Sequence, residues 1–175
     1  MPEYRRLYSD GGTYFFTVNL EDRKSDLLVS EISKLRAAYS YVQSRHPFRT
    51  DAICILPDHI HCVWTLPEGD SDFSKRWMLL KSFFSRAITG RVATSGSRAR
   101  RGEKTIWQRR FWEHLIRNNE DFEAHIGYTY ENPVKHGYTS RAEDWPHSSL
   151  HRDLVHFASL TAPYKDMFTP PGERL

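Results

Sequence analysis

The sequence predicts an α+β domain of the split βαβ, ferredoxin-like kind: a βαββαβ order, an antiparallel sheet with helices on one face, and an additional C-terminal helix. Three observations carry this. Short runs rich in aromatic and β-branched residues alternate with stretches of helical periodicity. A tight Pro57-Asp58 turn joins two of those runs directly, as in an antiparallel pair. Finally, 175 residues with 39% hydrophobic and 14% aromatic content suffice for one domain with its own core.

The first strand is Thr13-Tyr14-Phe15-Phe16-Thr17-Val18-Asn19, set off by the breaker pair Gly11-Gly12. Ser30 caps a helix reaching to about Arg45, with Ile32, Leu35, Tyr39 and Val42 at helical spacing. Phe48 to Leu56 is the second strand, and the third follows the turn at Pro57-Asp58. Phe73 to about Thr89 is a second helix with Trp77, Leu80, Phe84 and Ile88 on one stripe. Ile106 to Ile116 reads as a fourth strand. Asn119 caps a last helix beginning near Glu120, whose acidic first turn suits a helix N-terminus, and Pro133 and Gly137 end or kink it. Two helices cover one sheet face, which leaves the other free to hold a site. One domain spans 1–160, with a basic flexible loop near 90–104, and 161–175 is a proline-rich tail.

Several function classes are excluded. No apolar run approaches the roughly 20 residues of a membrane span, and Met1 to Arg6 lacks a signal-peptide core, which points to a cytoplasmic protein. Cys54 and Cys62 lie in apolar strand-like runs without CxxC spacing, as small core residues rather than thiolate ligands.

Net charge is only +3, but its placement is uneven. Residues 90–104 hold Arg91, Arg98, Arg100, Arg101 and Lys104 against the single acid Glu103, in a composition unable to bury apolar area. Arg5, Arg6, Arg109, Arg110 and Arg117 add basic points near aromatic residues. Guanidiniums hold phosphates while rings stack on bases, so the pattern suits a nucleic-acid partner.

Two features carry chemistry. In Leu56-Pro57-Asp58-His59-Ile60-His61-Cys62, His59 and His61 share one strand face while Ile60 enters the core. Alone they are equally the polar face of a half-buried strand. Together they can offer two neutral imidazoles to one divalent ion and leave coordination positions open. On the last helix, Phe122, Ile126, Tyr130 and Val134 form the apolar stripe, which makes Tyr130 a packed residue. Tyr128 lies about 200° from Ile126 at roughly 100° per residue, off that stripe, near His125, Asn132 and Lys135.

PDHIHCVW, IWQRRFWEHLIRN, YTYENPVKHG and DWPHSS, in that order, resemble the REP-associated tyrosine transposases, a branch of the single-tyrosine HUH nucleases. The resemblance runs from Glu3 to about Arg152. It implies a metal-dependent single-stranded DNA endonuclease and strand transferase acting at hairpins of repetitive extragenic palindromes (REP). His59 and His61 would be the metal ligands for Mg²⁺ or Mn²⁺ and Tyr128 the nucleophile of a 5′-phosphotyrosine intermediate. Asn132 matches a third-ligand position, with a shorter reach than the amide or acid common in related insertion-sequence enzymes. Tyr4, Arg5, Arg6, Arg98, Arg100, Arg101, Arg109, Arg110, Trp112 and Lys135 are the residues expected at DNA, while Trp145, Pro146 and Ser148 brace the helix end. The partners implied are single-stranded and hairpin DNA, with no small-molecule cofactor, for a monomer associated with the nucleoid when DNA-bound. The competing readings are a non-catalytic hairpin-binding protein and a small metal-dependent phosphoesterase.

Overall fold

The computed structural model describes residues 7–89 and 106–156. The strands are β1 (Thr13–Asn19), β2 (Arg49–Ile55), β3 (His59–Thr65) and β4 (Trp112–Leu115). The helices are α1 (Leu27–Ser30), α2 (Ile32–Arg45), α3 (Phe73–Ala87) and α4 (Asn119–Lys135), followed by a 3₁₀ turn at Ala142–Asp144. All pairings are antiparallel in the order β2-β3-β1-β4, which is the ferredoxin-like sheet that the element order predicts.

Strand alternation divides the core in two. Tyr14, Phe16 and Val18 of β1 with Ile60, Cys62 and Trp64 of β3 face α2 and α3, where Leu35, Val42, Trp77, Leu80 and Phe84 meet them. Trp64 and Trp77 stack at 4.3 Å across this layer. Phe15, Ala52 and Val63 face the other way, against Tyr130, Phe122 and Ile126 of α4. The second sheet face, expected to be open, is therefore partly covered by the helix that carries Tyr128. An antiparallel strip at 147–149 lies along the outer edge of β2, where Ser149 N–H donates to Ile53 O and Ile55 N–H to His147 O. It occupies backbone groups that an edge strand would otherwise expose.

Local boundaries depart from the sequence reading in four places. Ser30 is the last residue of α1 rather than a cap, and the helical turn starts three residues earlier because Leu28 is fully buried. The N-cap of α4 is Asn118, not Asn119, its side chain accepting from Asp121 N–H at 2.9 Å. Pro133 sits inside α4 without ending it. The helix stops at Gly137, whose φ of +74° fits a glycine C-cap, with Gly137 N–H bonded to Val134 O and Tyr138 N–H to Pro133 O. The fourth strand is only four residues long. Ahead of it, Trp107 makes one isolated bridge to Leu20 and buries its ring against Phe84, while Lys81 holds Gln108 O. Packing of Trp107 thus takes 106–111 out of the continuous ladder.

Candidate active site

His59 and His61 sit in the middle of the sheet on the α4 side, both almost fully buried, and their rings lie 4.8 Å apart at 86°. Each imidazole has its Nδ1 engaged. The His59 Nδ1–H donates to Asp58 Oδ1 at 2.6 Å, and the other Asp58 oxygen meets Arg23 Nε at 2.9 Å. His61 Nδ1 lies 3.0 Å from Thr17 Oγ1, the side chain directly opposite it in the β1–β3 register. Asp58 can only accept, so it holds the His59 proton on Nδ1, and Thr17 Oγ1 can accept from His61 Nδ1–H in the same way, the arrangement that leaves each Nε2 lone pair free for a ligand. Burial lowers the pKa of His59 against the opposing pull of Asp58, and lowers that of His61 to about 3, helped by the neighbouring His59 and His136. Both rings are neutral at physiological pH, the form a metal requires.

Asn132 is the candidate third donor. Its side chain is fully buried one helical turn beyond Tyr128, and Nδ2 donates to Tyr128 O at 2.9 Å. Its Oδ1 has no hydrogen-bond partner although it is shielded from water, and the Asn132 amide lies close enough to favour protonated His61. A buried acceptor without a donor is costly unless something else meets it. Two imidazole nitrogens and an amide oxygen on one polar patch fit a divalent ion of the Mg²⁺ or Mn²⁺ kind, though weakly for want of a carboxylate. His136, the C-cap of α4, stands 5.1 Å from His59 ring to ring.

Tyr128 and Tyr130 have opposite environments. Tyr130 is buried, bonded through its hydroxyl to Ser149 and Asp153, and its pKa is pushed up to about 12, chiefly by burial. Tyr128 is 40% exposed, its ring 5.3 Å from His61 and 5.7 Å from Phe15, and Lys135 Nζ lies 4.9 Å over its face. Beside it opens a cleft of about 430 Å³ lined by Phe15, Thr17, Trp112, Ala124, His125 and Tyr128. Its walls are aromatic and Trp112 is exposed on its rim, a surface able to take an unstacked base.

The structure therefore brings together His59, His61, Tyr128, Asn132, Lys135 and Trp112. Arg109 and Arg110 are both exposed and precede β4, so the strict alternation of faces expected across 106–116 does not apply to them. Trp107 and Phe111 are packing residues, the latter against Phe16, Phe73 and Trp77. Trp145, expected to brace the helix end, donates its indole N–H to Ile55 O at the end of β2 and packs its ring against Tyr138 just beyond α4. Tyr4, Arg5, Arg6, Arg98, Arg100, Arg101, the whole basic loop 90–104 and the tail lie outside the described residues. The sequence reading missed Thr17, Arg23 and His136. Asp58 adjoins the histidines in the chain and could have been found, whereas Thr17 requires the strand register.

No family model matches the chain. The REP-associated tyrosine transposase of Escherichia coli (strain K12) is 49% identical over 155 residues, covering 89% of this chain and 86% of that protein. A relative in Haemophilus influenzae (strain ATCC 51907 / DSM 11121 / KW20 / Rd), provisionally placed in the same group, is 47% identical over 155 residues and 88% of each chain. A solved structure of a REP-associated tyrosine transposase bound to a REP hairpin superposes with a TM-score of 0.78 at 49% identity, covering 89% of this chain and 86% of that one.

Proposed function

The chain belongs to the REP-associated tyrosine transposases, and from that membership we propose that it binds REP-type DNA hairpins and cuts the adjoining single strand through a 5′-phosphotyrosine at Tyr128. The observation that carries this reading is the convergence of His59, His61 and the orphaned Asn132 Oδ1 beside an exposed tyrosine. Hairpin binding alone requires neither oriented imidazoles nor an accessible phenol.

His59 Nε2, His61 Nε2 and Asn132 Oδ1 would hold Mg²⁺ or Mn²⁺. Bound there, the ion supplies Lewis-acid polarisation of a non-bridging phosphate oxygen. The protein's own groups do the rest. Asp58 and Thr17 keep the two rings oriented, and Asn132 ties the ligand set to the backbone of the nucleophile. Lys135, over the Tyr128 ring, places positive charge where a phosphate would enter. The Tyr128 phenol would lose its proton to solvent and its oxygen would bond to phosphorus while the bond to the 3′ oxygen breaks, and that oxygen would take up a proton from solvent to leave a free 3′-hydroxyl. The phosphotyrosine keeps the phosphodiester's energy, so a 3′-hydroxyl from another end can reverse the step and rejoin strands without ATP.

Trp112 and the cleft beside Tyr128 would receive an unstacked base, and Arg109 and Arg110 would contact backbone or guanine. The protein acts in this reading as a cytoplasmic monomer. Among the described residues no helix is long and apolar enough to cross a membrane. Incubating a labelled hairpin with a single-stranded flank, with and without Mn²⁺, tests the proposal. A protein–DNA adduct stable in detergent should form only with the metal, and release of both DNA pieces free of protein would overturn the reading.

A further inference from the structure

We infer that His114, Asp121 and His125 form a second divalent-cation site, selective for a transition ion of the Zn²⁺ or Co²⁺ class and separate from the donors at His59 and His61. His114 comes from β4, and Asp121 and His125 stand one turn apart on α4. One ligand atom from each lies within 4.8 Å of the other two. The Asp121 carboxylate sits between the rings, Oδ2 at 2.8 Å from His114 Nε2 and Oδ1 at 3.0 Å from His125 Nδ1. The two imidazoles stack at 4.6 Å and 15°, which turns them to one side. Donors sharing an ion at 2.0–2.2 Å in a tetrahedron are roughly 3.3–3.6 Å apart, so the contacts at 2.8 and 3.0 Å would open by about half an ångström, and a pair as far apart as 4.8 Å would close by about 1.2 Å, to admit one. All three side chains are half-buried, at 20–22% exposure, so the site is accessible yet partly sheltered.

The donor set fixes the class of ion. Two imidazoles and one carboxylate suit Zn²⁺, Co²⁺ or Ni²⁺, whereas Mg²⁺ and Ca²⁺ favour oxygen-rich shells. The same contacts also form a hydrogen-bonded staple, because Asp121 accepts from Arg117 N–H and His125 Nδ1 can donate to Asp121 O. Yet Arg117 N–H and the His114 imidazole suffice to satisfy that carboxylate, which the His125 ring also meets. The second ring, stacked on the first, is what makes a three-donor face. The position also matters: His125 lines the cleft beside Tyr128, and the His114 ring lies parallel to Trp112 on the cleft's rim. An ion here would tie β4 to the start of α4, so that Tyr128 stands between two donor sets along one helix.

The test uses full-length protein carrying His59→Ala and His61→Ala, which removes the other imidazoles whether or not they bind metal. Titration with Co²⁺ should show visible absorption saturating at one equivalent and displaced by Zn²⁺. Adding His114→Gln or Asp121→Asn should weaken that binding at least ~10-fold in variants with an unchanged circular dichroism spectrum. Imidazole ¹⁵N shifts during a Zn²⁺ titration need no further substitution, and those of His114 and His125 should move. Absence of Co²⁺ binding, binding indifferent to both substitutions, or unmoved His114 and His125 resonances would reduce the cluster to a staple.

Discussion

Asn132 donates its side-chain amide to the main-chain carbonyl of Tyr128 across 2.9 Å, while its own oxygen stays buried and without a partner near His61. One amide is therefore anchored to the helix carrying the phenol and leaves its oxygen near the strand carrying the imidazoles. Asn132→Ala should lower Mn²⁺ affinity roughly 10–100-fold, the range typical when a group supporting a metal site is lost. Manganese titration by electron paramagnetic resonance measures this. Undiminished affinity would remove Asn132 from the donor set.

The two tyrosines should separate cleanly. Tyr128→Phe should abolish the covalent adduct and leave hairpin affinity within about twofold, because only an exposed hydroxyl is lost. Tyr130→Phe should still form the adduct but lose roughly 1–2 kcal/mol of stability, since its buried hydroxyl is bonded to Ser149 and Asp153. Adduct formation by the first variant and not the second would reverse the assignment.

Thr17→Val is close to isosteric and removes the hydroxyl behind His61. The ring would lose the partner that fixes its tautomer, so metal affinity should again fall about 10–100-fold with little change in fold. Calorimetric titration with Mn²⁺, paired with an unfolding curve, separates that effect from general destabilisation.

These residues also show what a single sequence can and cannot reveal. Alternation along β3 was enough to put His59 and His61 on one face, and helical periodicity was enough to bury Tyr130 and expose Tyr128. Both follow from short-range geometry. The roles of Thr17 and Arg23 depend on the β1–β3 pairing and on a loop folding back, and neither has a local signature. Ile106 to Ile116 reads as one strand because aromatic and aliphatic residues recur along it, interleaved with polar ones. Burial of Trp107 beside Phe84 overrides that pattern, a tertiary effect which composition does not encode. The α4 boundary missed by one residue because Asn118 and Asn119 are equally good caps in isolation.

Stability of the metal-free protein should fall as pH drops below about 6.5. Folded His61 takes up a proton only near pH 3 and folded His59 below its usual range, whereas both titrate near 6.5 once unfolded. Between those values the unfolded chain binds more protons, so the stability present above pH 6.5 is lost progressively on acidification. His61→Ala should flatten urea-midpoint against pH between about pH 6.5 and 4. An equally steep curve would mean that other groups dominate.

Binding of hairpin DNA should weaken with salt, each phosphate contact contributing a slope of about −0.7 to −0.9 in log K against log salt. Neutralising exposed Arg109 or Arg110, or Lys135, should flatten the slope by about that amount for each residue that touches phosphate. A weaker complex with the same slope would instead indicate a contact to a base.

Strand choice follows from the shape of the site. The donors lie on a sheet face partly overlaid by α4, and Tyr128, whose ring lies 5.3 Å from His61, also lines the cleft formed with Phe15, Trp112 and His125. A phosphate can come into line with the Tyr128 phenol only if the neighbouring bases turn aside, and exposed Trp112 offers a face for one of them at about 1–3 kcal/mol. A duplex keeps its bases stacked and paired, and extruding one costs a few kcal/mol before any contact is gained. Single strands flanking a hairpin should therefore be cut, with the 5′ end left on the protein, while the same sequence fully paired resists. Trp112→Ala should slow cutting of the single strand by roughly 5- to 100-fold, in proportion to that stacking energy, without restoring activity on duplex. Efficient cleavage of the duplex, or product 5′ ends free of protein, would exclude attack by Tyr128 from this cleft.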